Sequence, residues 1–108
     1  MFSIAFDTAA TPAQLALSGS LTIYEVAQAH GELLALLAAN ARVEAWRLDL
    51  AELEELDSAG VQLLLGLRRQ LVLAGNTVEV VNLQGAALEI VSLLRLDVLL
   101  PGEQPAAA

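Results

Sequence analysis

Apolar residues recur along this chain with two different periods, and the switches between them outline a fold. Phe2, Ile4 and Phe6 alternate with Ser3 and Ala5, the period of two expected of a half-buried strand. Thr11-Pro12 marks a turn, after which residues 14–17 alternate again, with Leu15 and Leu17 facing one way. Two strands joined this closely predict an antiparallel hairpin. Ser18-Gly19-Ser20 breaks the pattern, and Thr22-Ile23-Tyr24-Glu25 follows. That string is a T-x-x-E capping box, so a helix is expected to start at Thr22. Val26, Ala29, Leu33, Leu36 and Leu37 then repeat at helical spacing until the signal fades near Asn40.

The period of two returns at Trp46, Leu48 and Leu50, with Arg47 and Asp49 between them. This predicts a largely buried strand whose Arg47 and Asp49 share a face and can pair, a surface interaction of about 0–1 kcal/mol. Glu52-Leu53-Glu54-Glu55 then reads as a solvated acidic loop. A second helix is expected over 58–74, with Val61, Leu64, Leu65, Leu71 and Val72 as its buried stripe. Gln62, Gly66 and Arg69 fall on another face with Leu73, a strip that is either exposed or meets a partner, unless Leu73 is core. Gly75-Asn76 closes the helix as a C-cap. Val78, Val80 and Val81 mark a strand over 77–82. A third helix is expected over 83–95, with Leu83, Leu88, Val91 and Leu94 apolar and Asn82 or Gln84 near its start. Residues 97–100 form a short last strand or cover the core, and 101–108 read as a flexible tail. The order ββαβαβα implies one α/β domain over 1–100. Its mixed sheet of four to five strands is packed by three main helices.

Composition narrows the function classes. The 108 residues carry a net charge of −8. No basic stripe exists to displace counterions from nucleic acid, and docking on anionic lipid is disfavoured. All five basic residues are Arg, so Schiff-base chemistry and a P-loop lysine are excluded. The absence of Cys removes disulfides, zinc–thiolate sites and a cysteine nucleophile. No stretch approaches the ~20 apolar residues of a membrane span, and no secretory signal pattern opens the chain; a cytoplasmic location is expected. The single His, His30, lacks a second ligand-spaced His or Cys, so it is expected to be a partly exposed helix residue and no metal site is expected. No cofactor is implied.

The chemistry concentrates where strand gives way to helix, at Leu56-Asp57-Ser58-Ala59-Gly60-Val61-Gln62. Asp57 and Ser58 are both good N-cap residues, and Leu56 can staple to Val61. Gly60 keeps the surroundings of Ser58 free of a side chain, leaving room for a partner. A helix start favours an anion. Phosphate on Ser58 would add about −1.5 to −2 charge beside Asp57, Glu55, Glu54 and Glu52, enough to repel a partner without unfolding the domain. An enzyme would have to use Ser58, Asp57 and His30, and nothing in the sequence pairs a base with Ser58. A non-enzymatic role is expected.

This element order, with Gly19-Ser20-Leu21-Thr22-Ile23-Tyr24 and Asp57-Ser58-Ala59-Gly60-Val61-Gln62-Leu63-Leu64, resembles the STAS family over roughly residues 2–100. That family includes bacterial anti-sigma factor antagonists. The resemblance implies that Ser58 is phosphorylated by a partner serine kinase and that the unmodified form binds an anti-sigma factor. It further implies a partner surface formed by Thr22, Tyr24, Asp57, Ser58, Ala59, Gly60, Gln62 and Arg69. Where antagonists often carry an Asp, this chain has Thr22. The Leu-Thr-Ile-Tyr and Ala-Gly-x-Gln-Leu-Leu strings are similar to STAS proteins found beside chemotaxis components. A second branch, the small cytoplasmic subunit of lipid-transport ABC transporters, shares a comparable turn and implies an ABC ATPase as partner.

Overall fold

A computed structural model describes residues 1–94. Its elements run β1 (Phe2–Asp7), β2 (Ala13–Leu21), α1 (Val26–Ala39), β3 (Ala45–Leu56), α2 (Ser58–Leu73), β4 (Thr77–Val81) and α3 (Gly85–Leu93). The order ββαβαβα is the expected one. The strands form a four-stranded mixed sheet in the order β1-β2-β3-β4. β1 pairs antiparallel with β2, whereas β2–β3 and β3–β4 are parallel. The expected strand at 97–100, the end of the expected third helix and the tail at 101–108 lie outside the described residues.

Alternation builds the core from one face of this sheet. Leu15 and Leu17 of β2, Trp46, Leu48 and Leu50 of β3, and Val78 and Val80 of β4 all point inward and are buried. Burying each such side chain contributes about 1.5–3 kcal/mol. The intervening Gln14, Arg47 and Glu79 stand in register across the opposite face. Arg47 donates to Glu79 Oε1 at 2.8 Å, so its ion pair runs across the strands, not along β3 to Asp49 as expected. Cross-strand neighbours lie closer than residues two apart on one strand. Asp49 instead accepts from the Ala51 N–H at 3.0 Å and from Asn82 Nδ2 at 3.2 Å.

Two strands are longer than expected. Ser18-Gly19-Ser20 does not end β2, and Glu52-Leu53-Glu54-Glu55 is not a loop: each extends the other as strand. Ser18 pairs with Glu52 and Ser20 with Glu55, with register shifts between Ala16 and Ser18 and between Gly19 and Ser20. These irregularities absorb residues that are weak strand formers. Leu53 is buried in the extension while Glu52, Glu54 and Glu55 are exposed. Ser20 Oγ donates to Glu55 Oε1 at 2.6 Å.

The helices differ from the expected stripes in detail. α1 buries Ala29, Leu33 and Leu36 and ends at Ala39 with Asn40 as its C-cap, where the expected signal fades. α2 buries Gly60, Val61, Leu64, Leu67 and Leu71, a regular 3–4 spacing. Leu67 belongs to that stripe in addition to the expected residues. Val72 is exposed, and Leu73, 76 % exposed, is not core. α2 stops in a Schellman motif: Gly75 N–H bonds to Val72 O at 3.0 Å and Asn76 N–H to Leu71 O at 2.9 Å. That motif needs the left-handed φ of +89° at Gly75, a conformation that costs glycine nothing. α3 begins at Gly85 with Gln84 as its N-cap, so Leu83 is buried ahead of the helix, not in it; Leu94 is exposed and Ala87 takes a core place. No helix among the described residues is long and apolar enough to cross a membrane.

Candidate functional site

β3 ends at Leu56 and α2 begins at Ser58, which leaves Asp57 as the joint between strand and helix. Its extended backbone (φ −117°, ψ −175°) is the conformation an N-cap requires. Asp57 Oδ1 accepts from the Gly60 N–H at 2.9 Å, and Oδ2 accepts from the Ile23 N–H, also at 2.9 Å. One carboxylate therefore caps α2 and ties down the turn that precedes α1. The Gly60 N–H bond does most to hold its carboxyl below the usual carboxylate range; partial burial opposes this, and the Ile23 N–H adds to the lowering.

Of the two residues able to cap α2, Asp57 does so. Ser58 takes the first helical position, and it is exposed. Ala59 beside it is half-buried. Gly60 is buried, and the space it leaves faces inward, not toward an incoming partner as expected. A Cβ there would run into the Leu21 carbonyl oxygen and press on Leu56 Cδ1 at 2.7 Å. Glycine is needed because the first turn of α2 lies directly on the end of β2.

The capping box closes, but not as the start of α1. Glu25 Oε1 accepts from the Thr22 N–H at 2.9 Å and from Thr22 Oγ1 at 2.6 Å. Hydrogen bonding to Thr22, first its hydroxyl and then its N–H, lowers the Glu25 carboxyl below its ordinary value. The Thr22 carbonyl accepts from both the Glu25 and Val26 N–H groups, and the ladder resumes at Ala29 N–H to Glu25 O. α1 itself begins at Val26, with Glu25 as an N-cap that makes no side-chain cap bond. The box thus shapes a separate turn over 22–25, at the expected start, and α1 begins one helical turn later than expected. The Ile23 N–H is drawn to Asp57, and the turn leaves Ile23 65 % and Tyr24 91 % exposed. Ile23 was not among the expected contact residues. Its only signal was an apolar side chain inside a capping box, where nothing in the helical stripe calls for one.

Asp57, Ser58, Thr22 and Tyr24 are therefore drawn together by the Asp57–Ile23 bond. Gln62 and Arg69 lie farther along the exposed side of α2, on a groove shared with His30 of α1. Ser58 does not line that groove. Among the described residues no three His, Cys, Asp or Glu side chains converge to hold a metal ion.

The family model described as "Mlab, STAS domain" matches residues 4–101. The chain belongs to the STAS domain family. Solved structures agree on the fold of this STAS domain. The Bacillus cell fate determinant SpoIIAA in its phosphorylated form superposes with a TM-score of 0.63 at 17% identity, covering 97% of this chain and 96% of that one. An anti-sigma factor antagonist from Mycobacterium paratuberculosis gives a TM-score of 0.71 at 19% identity, over 90% of this chain and 80% of that one. Unphosphorylated SpoIIAA gives 0.60 at 17% identity, over 84% and 83%. No curated protein matches the sequence. The STAS domain thus resembles anti-sigma factor antagonists in architecture.

Proposed function

We propose that this STAS domain is a non-enzymatic regulatory module that binds a partner protein through the start of α2 and the 22–25 turn. Phosphorylation of Ser58 by a partner serine kinase is the switch. The observation that carries this reading is the division of labour at the helix start. A serine there ordinarily serves as the cap, but Asp57 fills that role and Ser58 stands exposed. Its hydroxyl is dispensable for the fold and accessible to a kinase. Ile23 and Tyr24, held close by the Asp57 bond, supply the apolar contact a protein partner would cover. SpoIIAA, a structural neighbour, occurs in phosphorylated and unphosphorylated forms, which supports the same chemistry here.

Phosphate at Ser58 would sit at the positive end of α2 and leave the helix intact. Added beside Asp57 and the exposed Glu52, Glu54 and Glu55, it would repel an acidic partner surface and resist burial under an apolar one, because the charge would lose its hydration. The partner classes this fits are an anti-sigma factor or its serine kinase, in a cytoplasmic stress or chemotaxis cluster. The test is direct. A cognate kinase should place phosphate on Ser58, read by mass spectrometry. Ser58→Ala should keep partner affinity, while Ser58→Asp should weaken it about tenfold or more, or ~1.4 kcal/mol. A cognate kinase that leaves Ser58 unmodified ends the switch reading.

The family description favours one second reading, a constitutive subunit bound to the ATPase of a lipid-transport ABC transporter, with Ser58 as a contact only. Equal partner binding by Ser58→Ala and Ser58→Asp would select it.

A further inference from the structure

An apolar opening lies away from Ser58, between α1 and α2. A groove of about 360 Å³ runs between these helices, floored by Leu33, Leu34, Leu37, Leu63 and Leu67. A second hollow continues it along the same helix seam, sharing Leu34, Leu37 and Gln70 and reaching the ring of Trp46. A volume of this size, mostly apolar with a few polar groups at one place, is that of a small-molecule site.

Its polar groups are an arginine, a histidine and two amides. Arg69 and His30 line the first groove together with Gln62 and Gln70, and no Asp or Glu lines it. In a chain of net charge −8 with only five cationic side chains, an opening lined by an arginine and free of carboxylates favours an anion. Gly66 gives an independent indication. It lies in the middle of α2 and lines the groove. A Cβ at Gly66 would meet nothing within 4 Å, so neither packing nor backbone conformation calls for glycine. A glycine inside a helix costs about 1 kcal/mol relative to alanine. What its missing side chain does is keep the groove open.

We propose that the α1–α2 groove binds a free amphipathic monoanion, a medium-chain carboxylate of the fatty-acid type. Its chain lies on the leucine floor toward Trp46 and its carboxylate pairs with the Arg69 guanidinium, which offers a planar two-donor fork to such a group. The site is separate from the Ser58 surface and does not depend on Ser58 being modified.

The test uses the full chain with decanoate, and with decanol as a neutral probe of the same length. Titration calorimetry should show saturable one-site binding of decanoate, accompanied by a change in the emission of Trp46, the sole tryptophan. Arg69→Gln should weaken decanoate about tenfold and leave decanol unchanged. Gly66→Leu should abolish both while keeping or raising Tm, because the added side chain enters open space and improves helix propensity. Gly66→Ala, a smaller filling, should weaken binding partially. Non-saturable uptake, equal affinity for decanoate and decanol, or undiminished binding in folded Gly66→Leu would each overturn the proposal. So would a dimer, seen by sedimentation, that Gly66→Leu dissociates, since a second copy would then be the occupant.

Discussion

The chain starts two helices side by side and closes their first turns in different ways. At α2 the carboxylate of Asp57 does what a cap does, accepting from an N–H three residues on. At α1 the Thr22–Glu25 box forms its hydrogen bonds, yet the helix waits until Val26. The difference lies in what each start packs against. Gly60 brings α2 directly onto the Leu21 carbonyl, so the inner side of its first turn, Gly60 and Val61, is buried while Ser58 stays exposed. The 22–25 turn has no such floor, and its Ile23 N–H is claimed by Asp57 from the other helix start. A well-made cap gives a rigid platform for Ser58. An interrupted one displays Ile23 and Tyr24 beside it.

The contrast can be broken most forcefully at Gly60. Gly60→Ala should destabilise the domain by about 2–3 kcal/mol, the upper range for overpacking, because the atom it strikes is backbone and cannot move aside. Urea unfolding measures this; a loss under about 0.5 kcal/mol would mean that α2 is not seated on β2 as described. Asp57→Ala should follow, at about 1–2 kcal/mol for a lost cap, with faster amide exchange at both Gly60 and Ile23. Asp57→Ser sharpens the point. It can restore the cap to Gly60 but lacks the second oxygen for Ile23, so stability should largely recover while Ile23 exchange stays fast.

Acid should act on both starts in the same direction. The folded-state carboxyls of Asp57 and Glu25 are depressed, Asp57 chiefly by the Gly60 N–H and Glu25 by Thr22. Their contribution is therefore complete above the ordinary carboxylate range and is lost as pH falls through the depressed folded values. The Gly60 and Ile23 amide resonances should move together with the Asp57 titration at a pH below that of an unperturbed carboxylate. Separate midpoints would show that one carboxylate does not serve both. The smallest effect is expected from Thr22→Val. It removes a part-buried hydroxyl bond to Glu25 and the acceptor for the Tyr24 N–H but leaves the Thr22 N–H bond to Glu25, so the loss in urea unfolding should be smaller than that of Asp57→Ala.

Strand alternation at Leu15/Leu17 and Trp46/Leu48/Leu50, the helical spacing of Val61 and Leu64, and the Gly75 stop were all legible from residue types, because each is a local preference repeated often enough to outweigh its neighbours. The acidic run 52–55 and Ser18-Gly19-Ser20 were not. Each is a poor strand former alone; 52–55 becomes strand because 18–21 lies alongside it, and 18–20 is held between that run and the start of β1. Arg47 was legible as a surface cation, but its partner Glu79 lies 32 residues away, beyond any local reading. At the candidate site, the residue types and the exposed Ser58 could be read in advance. The inward-facing reason for Gly60 and the exposure of Ile23 could not.

By itself, then, the order of residues determined the elements, their sequence and the place where a hydroxyl meets a carboxylate, since these follow from periodicity and from hydrogen bonds a few residues long. Only the tertiary structure decided which of Asp57 and Ser58 would cap, why position 60 excludes a side chain, and that two helix starts share one carboxylate. Those outcomes depend on the approach of β2 and the 22–25 turn to α2, and on contacts between groups 34 residues or more apart in the chain.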